Sequence, residues 1–185
     1  MSLKKKLEDR LSGGKFRMIN EIMGNKKINN NIIKEYYSYY DKQKMKWKNN
    51  PLDWIIMFLK KRKNIRKLKI ADIGCGMGEL KNKIGGNVDL YDKYPVRDDV
   101  ERCDMDNINS EDKKYDVIVY SLSLMKDCIG EAIKEANRIL KENGIMIISE
   151  LSSRIKKDFI KNIEKMGFKI KERKMEKYFG IFVFE

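Results

Sequence analysis

Residues 71–80 read ADIGCGMGEL, with glycines at the alternate positions 74, 76 and 78, directly after the apolar LKIADI of 68–73. A buried strand that runs into glycines and then opens a helix is the first turn of a doubly wound α/β sheet. There the backbone turns sharply and stays bare enough for a ligand to approach. The sequence downstream agrees. Glu79–Ile84 is predicted as a short helix and VDLYD (88–92) as a second strand that closes on an acid. Val100–Cys103 is a short third strand. YDVIVYSLSLM (115–125) is a fourth, apolar on both faces as a central parallel strand should be. Gly130–Lys141 sets Ala132, Ile133, Ala136, Ile139 and Leu140 at helical spacing, and Asn143-Gly144 supplies a left-handed stop. IMIIS (145–149) is a fifth strand, and Arg154–Met166 a helix stopped by Gly167. FKIKER (168–173) and YFGIFVFE (178–185) are joined by too few residues for a crossover, so they form an antiparallel hairpin. The expected fold is α/β: a Rossmann-like, seven-stranded, mostly parallel sheet with an antiparallel C-terminal hairpin.

Helices precede this sheet. Lys15–Met23 places Phe16, Ile19, Ile22 and Met23 on one helical face, behind the break Ser12-Gly13-Gly14. Ile32–Trp47 is a second helix, rich in Tyr36, Tyr37, Tyr39 and Tyr40, and Leu52–Lys61 a third, opened by Pro51. The expected organisation is a basic helical section over 1–66, packed on a core over 67–185. Charge divides the same way. Residues 1–70 hold 20 Lys and Arg against 6 Asp and Glu, net +14, whereas residues 71–150 hold 11 against 17, net −6. A taste for Lys, Asn and Ile across the whole chain gives one account of the basic section; a face for a polyanion gives another, with nucleic acid the expected partner. Lys15, Arg17, Lys61, Arg62, Lys63 and Arg66 are the candidate contacts to a nucleic-acid backbone. Such contacts confer affinity and register but not choice of sequence.

Composition excludes other classes. No apolar run reaches the roughly 18 residues that span a membrane. The opening MSLKKKLEDR has no apolar centre of a secretory signal, so an intracellular, reduced protein is expected. The three cysteines, Cys75, Cys103 and Cys128, show no CxxC spacing, and there is no histidine, which argues against a metal site and against a disulfide framework.

The glycine turn also restricts its ligand. An acid at the end of the second strand, here Asp92, can accept a ribose diol from either a dinucleotide or S-adenosylmethionine. A dinucleotide fingerprint beginning at Gly74 needs its third glycine at position 79, where this chain has Glu79, and a carboxylate there repels a pyrophosphate. Asp72, Asp92 and Asp104 form an acidic rim instead, which suits a ligand carrying a sulfonium and an ammonium.

Longer motifs carry a family likeness. LSGGKFRMINE (11–21), WKNNPLD (47–53), ADIGCG (71–76), CDM (103–105), SLSLM (121–125), EANRILKENG (135–144), ELSSR (150–154) and MGFKI (166–170) together resemble the ribosomal RNA-processing protein 8 family, the nucleomethylin-like methyltransferases, over almost the whole chain. The resemblance implies a Class I methyltransferase dependent on S-adenosylmethionine, releasing S-adenosylhomocysteine. It acts on N1 of an adenine in large-subunit ribosomal RNA, in the nucleus and nucleolus, alongside ribosome-assembly or chromatin proteins. It also implies positions. Gly74 lies under the methionine part of the cofactor with Gly76 beside it. Asp92 takes the ribose hydroxyls, Asp104 and Met105 hold the adenine, and Ser121 stands where the family more often has Cys. Tyr37 occupies the place of a family histidine that touches the cofactor. A monomer is expected.

Attack by a neutral adenine N1 uses a lone pair already present, so a missing histidine is no obstacle. A carboxylate near the cationic product would help. Asp127 and Glu150, near the carboxyl ends of strands, are the candidates, although either residue also suits a surface or capping role. The N1 edge is used in base pairing, so the target base must be unpaired and stacked. Tyr36, Tyr37, Trp47 and Trp54 are able to stack it, or to pack the front helices. Two other functions compete: a cofactor-binding scaffold without catalysis, and a methyltransferase for a different substrate.

Overall fold

The computed structural model describes residues 11, 14, 15, 18, 19, 30–45, 47–124 and 129–185. The chain divides into two compact units, residues 1–50 and 51–185. The boundary expected at 66 falls later than this division, because the helix Pro51–Lys60 buries Ile55, Ile56 and Leu59 in the core of the larger unit.

In the smaller unit, helix α1 (Asn30–Lys44) carries a run of tyrosines. Tyr36 and Tyr40 stack with ring centroids 6.1 Å apart, Tyr37 stands edge-on to Tyr36 at 5.3 Å, and Trp47 closes on Tyr40 at 5.8 Å.

The larger unit follows in chain order: α2 (Pro51–Lys60), β1 (Ile70–Ile73), α3 (Glu79–Ile84), β2 (Val88–Asp92), β3 (Val100–Arg102), β4 (Tyr115–Ser121), α4 (Ile129–Ile139), β5 (Leu140–Leu151), α5 (Phe159–Glu164), β6 (Ile170–Met175) and β7 (Phe179–Phe184). The seven strands form one sheet in the order β3-β2-β1-β4-β5-β7-β6. β1 pairs in parallel with β2 on one side and β4 on the other, so the strand order reverses there. β7 runs antiparallel to both β5 and β6. The expected fold class is borne out. β1 and β4 are buried on both faces because helices cover both. On one face, Ile55, Ile56 and Leu59 of α2 and Leu80 of α3 meet Ile70, Leu90, Val117, Val119, Ile147 and Val183. On the other, Ala132, Ile133 and Ala136 of α4 and Phe159 and Ile163 of α5 meet Ala71, Ile73, Ile118, Tyr120, Met146 and Ile148.

Two elements differ from expectation. β5 begins at Leu140 rather than 145, because Leu140 already pairs with Tyr115 before an irregular stretch leads to the Val117–Ile145 register. Asn143 is left-handed (φ 65°), as expected of a stop residue, but within this irregular stretch. The helix expected over 154–166 shrinks to Phe159–Glu164. Tertiary bonds hold the chain before it. Ser152 donates through N and Oγ to the carbonyls of Tyr178 and Glu176, and Ile155 lies across Gly180, where a Cβ would stand 2.3 Å from Ile155 Cδ1.

Candidate functional site

The carboxyl end of β1 is the place where a doubly wound sheet opens a crevice. The chain leaves it through Gly74, Gly76 and Gly78, all left-handed, with φ of 70°, 55° and 65°. Gly74 has no room for a side chain: an added Cβ would stand 2.4 Å from Ser123 Cβ in the loop after β4. Ser123 Oγ in turn donates to Ile73 O at 2.7 Å, so the two loops that rim the crevice are tied together. Gly78 is equally confined, with Leu90 Cδ1 at 2.8 Å and Arg97 Nη1 at 2.9 Å from an added Cβ.

Asp92 shapes this turn. Its Oδ2 accepts the Gly76 N–H at 2.9 Å and its Oδ1 the Tyr94 N–H at 2.8 Å. Each carboxylate oxygen accepts more than one bond, so capacity remains for hydroxyl donors. Asp72 is buried, with 3% of its surface exposed. It lies on the same face of the sheet as Leu90 and Val119, its partners in register. Burial, and then the negative charge of Asp92, push its carboxyl up to about 7. No cation of the described residues pairs with it. The nearby Arg97 is committed elsewhere, to Asp99 and to Met77 O at 2.9 Å. A buried carboxylate beside a second one, at the mouth of a glycine turn, is a site short of positive charge. The ammonium and sulfonium of S-adenosylmethionine fit it; a pyrophosphate does not.

Three expected contacts lie along the same rim. Asp104 follows β3 and is paired with Lys93 at 2.7 Å. Met105 is half-buried against the core. Ser121 ends β4, and its Oγ accepts a bond from Ser149 Oγ at 3.3 Å. Leu122 follows in the left-handed region (φ 59°), an unfavourable conformation for a side chain of this size, held by its N–H to Ser149 O.

Glu150 is not brought to this rim. Alternation along β5 turns it to the opposite face, with Met146 and Ile148, and leaves it 2% exposed. Its Oε1 accepts the Leu151 N–H at 2.7 Å and lies 3.4 Å from Arg154 Nη1. Its Oε2 is buried with no hydrogen-bond partner, and burial raises its pKa. Asp127 and Arg17 lie outside the described residues. Tyr37 and Lys15 belong to the smaller unit, where Lys15 Nζ stands 5.9 Å from the Tyr39 ring.

Sequence reasoning missed Ser123, Leu122 and Arg97. Ser123 sits inside the SLSLM motif, but only the folded contact with Gly74 reveals its role. The two cysteines among the described residues, Cys75 and Cys103, are held in the thiol form. Burial, together with nearby carboxylates, holds Cys75 well above the usual range and pushes Cys103 up to about 12. Among the described residues no group of three or more Asp, Glu or Cys side chains is placed to hold a metal ion, and no helix is long and apolar enough to cross a membrane.

The basic run after α2 is exposed. Lys61, Lys63 and Arg66 point to solvent, and Arg62 lies over the Phe58 ring at 5.4 Å. None of the four pairs with a carboxylate of the described residues.

Comparison with known proteins bears out the family likeness read from the motifs. A family model described as "Hypothetical methyltransferase" matches residues 2–185. A protein of Caenorhabditis briggsae named ribosomal RNA-processing protein 8 is 34% identical over 95% of this chain and 56% of its own length. A protein of Schizosaccharomyces pombe named 25S rRNA (adenine(645)-N(1))-methyltransferase is 31% identical over all of this chain and 65% of its own. The chain thus spans only 56% and 65% of the length of these two relatives. Among solved structures, a TehB-like SAM-dependent methyltransferase from Corynebacterium glutamicum superposes with a TM-score of 0.67 at 19% identity. That alignment covers 84% of this chain and 98% of the other, and shows the shared fold.

Proposed function

This chain belongs to the hypothetical methyltransferase family, and on that premise we propose that it methylates N1 of an adenine in large-subunit ribosomal RNA, with S-adenosylmethionine as donor. The observation that carries the reading is the rim at β1: a confined glycine turn beside two carboxylates, one of them buried without a cation. Likeness to a relative named for adenine N1 methylation of 25S rRNA supports the choice of substrate.

Bound there, S-adenosylmethionine would supply a methyl group on a sulfonium for the N1 lone pair, with S-adenosylhomocysteine as the product left behind. The residues do the rest by position. Gly74 and Gly76 leave the backbone open to the methionine part. Asp72 offsets its positive charge, and Asp92 accepts the ribose hydroxyls with the lone pairs that Gly76 and Tyr94 leave unused. Asp104 takes the exocyclic amine of the cofactor's adenine, sharing its carboxylate with Lys93, and Met105 packs beside the ring. Ser121 contacts the cofactor through its backbone, and Tyr37 stands for the family's histidine that touches the cofactor. Lys15, Arg17, Lys61, Arg62, Lys63 and Arg66 hold phosphates. No proton is removed from N1, so the reaction needs no general base. We place the work in the nucleus, in ribosome assembly, with the nucleolus as the specific site and a monomer as the working form.

The test is transfer of labelled methyl to unmodified large-subunit ribosomal RNA, read as N1-methyladenosine by nucleoside mass spectrometry. Label at that nucleoside, lowered at least tenfold by Asp104→Ala, is the expected result. Cofactor binding without any labelled RNA would favour a scaffold or another substrate.

A further inference from the structure

A cleft of about 470 Å³ opens on the α2 face, lined by Trp54, Met57, Phe58, Lys61, Arg62 and Glu172. Trp54, Phe58 and Arg62 are spaced four apart and form one stripe. The Trp54 and Phe58 rings stack at 5.2 Å with 14° between planes, and the Arg62 guanidinium lies 5.4 Å from the Phe58 centroid. Met57 beside them is 57% exposed. The two rings are half-buried against the core and line an open cleft, beside two cations that form no ion pair with a carboxylate of the described residues. They are the parts from which single-strand nucleic-acid sites are built: a π-face for a base and charge for the backbone on either side.

The cleft is not the place of methyl transfer. Register across the sheet runs Asp72–Val119–Ile147–Val183–Glu172. Glu172, its outer wall, therefore stands four strands from Asp72, roughly 19 Å at about 4.8 Å per strand. We propose that this cleft holds an unpaired base of the RNA substrate, a few nucleotides from the target adenine. That base stacks on the face of Trp54 turned away from Phe58, with its flanking phosphates on Lys61 and Arg62. The inference rests on the RNA reading above and deepens it. Glu172 gives the cleft a preference. A carboxylate accepts hydrogen bonds only, so it favours a base that presents an exocyclic amino group, adenine, cytosine or guanine, over uracil. The cations of the rim attract any polyanion, and it is stacking on the ring that favours RNA over an acidic protein segment.

Trp47→Phe leaves Trp54 as the sole tryptophan of the full chain. Its emission is followed while single-stranded RNA of about 12 nucleotides is added, a length within the usual site size of about 4–16. Anisotropy of labelled RNA reports binding independently. Saturable quenching by oligo(A) and oligo(C), weaker binding of oligo(U) by severalfold, and no quenching by duplex RNA are expected. Glu172→Ala should erase the difference between oligo(C) and oligo(U). Lys61→Glu with Arg62→Glu should weaken binding at least tenfold at an unchanged melting temperature. RNA that binds and is methylated while Trp54 emission stays constant overturns the cleft and spares the function. Quenching by polyglutamate equal to that by RNA overturns base stacking in favour of an acidic protein partner. No binding by anisotropy overturns both.

Discussion

The sheet's own cations and those just before it are of the same kind and meet opposite surroundings. Within residues 71–150, Lys81 is held by Asp99, Lys93 by Asp104, Lys114 by Asp89, Lys141 by Asp116, and Arg138 by Glu135 and Asp112, at 2.5–3.2 Å. Lys83 is held by Asp53 of α2. Across 60–67, by contrast, Lys60, Lys61, Arg62, Lys63, Arg66 and Lys67 pair with no carboxylate of the described residues. Formal charge is thus a poor guide to available charge. A paired lysine has little left to offer a phosphate, and exposed pairs add little stability of their own. An unpaired run keeps its full potential and the counterions that RNA would displace. The cofactor rim inverts the arrangement: there the uncompensated charge is a carboxylate, Asp72.

The largest expected effect breaks this contrast from the basic side. Changing Lys61, Arg62, Lys63 and Arg66 together to Glu should lower RNA affinity by at least roughly 10³ at physiological salt. The slope of log affinity against log salt should flatten with it. Anisotropy titrations from about 50 to 200 mM salt read both quantities. Affinity and slope that survive the change would mean that the grip is spread over the chain, and the contrast between the two regions would lose its functional meaning.

Asp72→Asn acts on the acidic side. Its carboxyl is raised from 3.8 to about 7 in the folded chain. The folded state therefore holds that proton more tightly than the unfolded state, and stability falls as pH rises from about 4 through about 7. Removing the charge relieves about 4 kcal/mol at pH 8, less the cost of burying an amide, which leaves a net gain of roughly 1–3 kcal/mol. Cofactor affinity should move the other way. A bound cation favours the ionised carboxylate, so S-adenosylmethionine should bind the unaltered chain more tightly as pH rises through about 7. Asp72→Asn should bind weakly at every pH. Thermal melts and calorimetry between pH 6 and 8 measure the pair. An unaltered chain whose affinity is flat across that range would remove Asp72 from the cation's surroundings.

Much of this was legible in the residues. Three alternating glycines, a two-faced apolar strand at 115–121 and a closing hairpin suffice to order the sheet, because the burial period and the turn lengths are local properties. Asp92 was legible for the same reason, standing at the end of a strand whose place was known. Glu150 was not. Its position one residue beyond Ser149 sends it to the face opposite Asp72, which only the register reveals. The helix at 154 failed because Ser152 and Ile155 find partners in β7 and its turn, contacts remote in sequence. Arg97 bears no motif at all; its role exists only because β2 and the glycine turn are neighbours in space.

The smallest effect sharpens the comparison most directly. Lys113 and Lys63 are both exposed lysines, but Lys113 lies 2.5 Å from Glu142 and Lys63 has no such partner. Replacing each singly by Ala removes one positive charge from each place, so net charge alone predicts equal losses. The pairing seen here predicts a difference. Lys63→Ala should weaken binding to every RNA sequence alike and reduce the salt slope by about one. Lys113→Ala should leave affinity and slope within error, because the charge it removes is already met by Glu142. Equal slopes for the two variants would show that ion pairing at the surface does not withdraw a lysine from RNA, and that total charge governs the encounter instead.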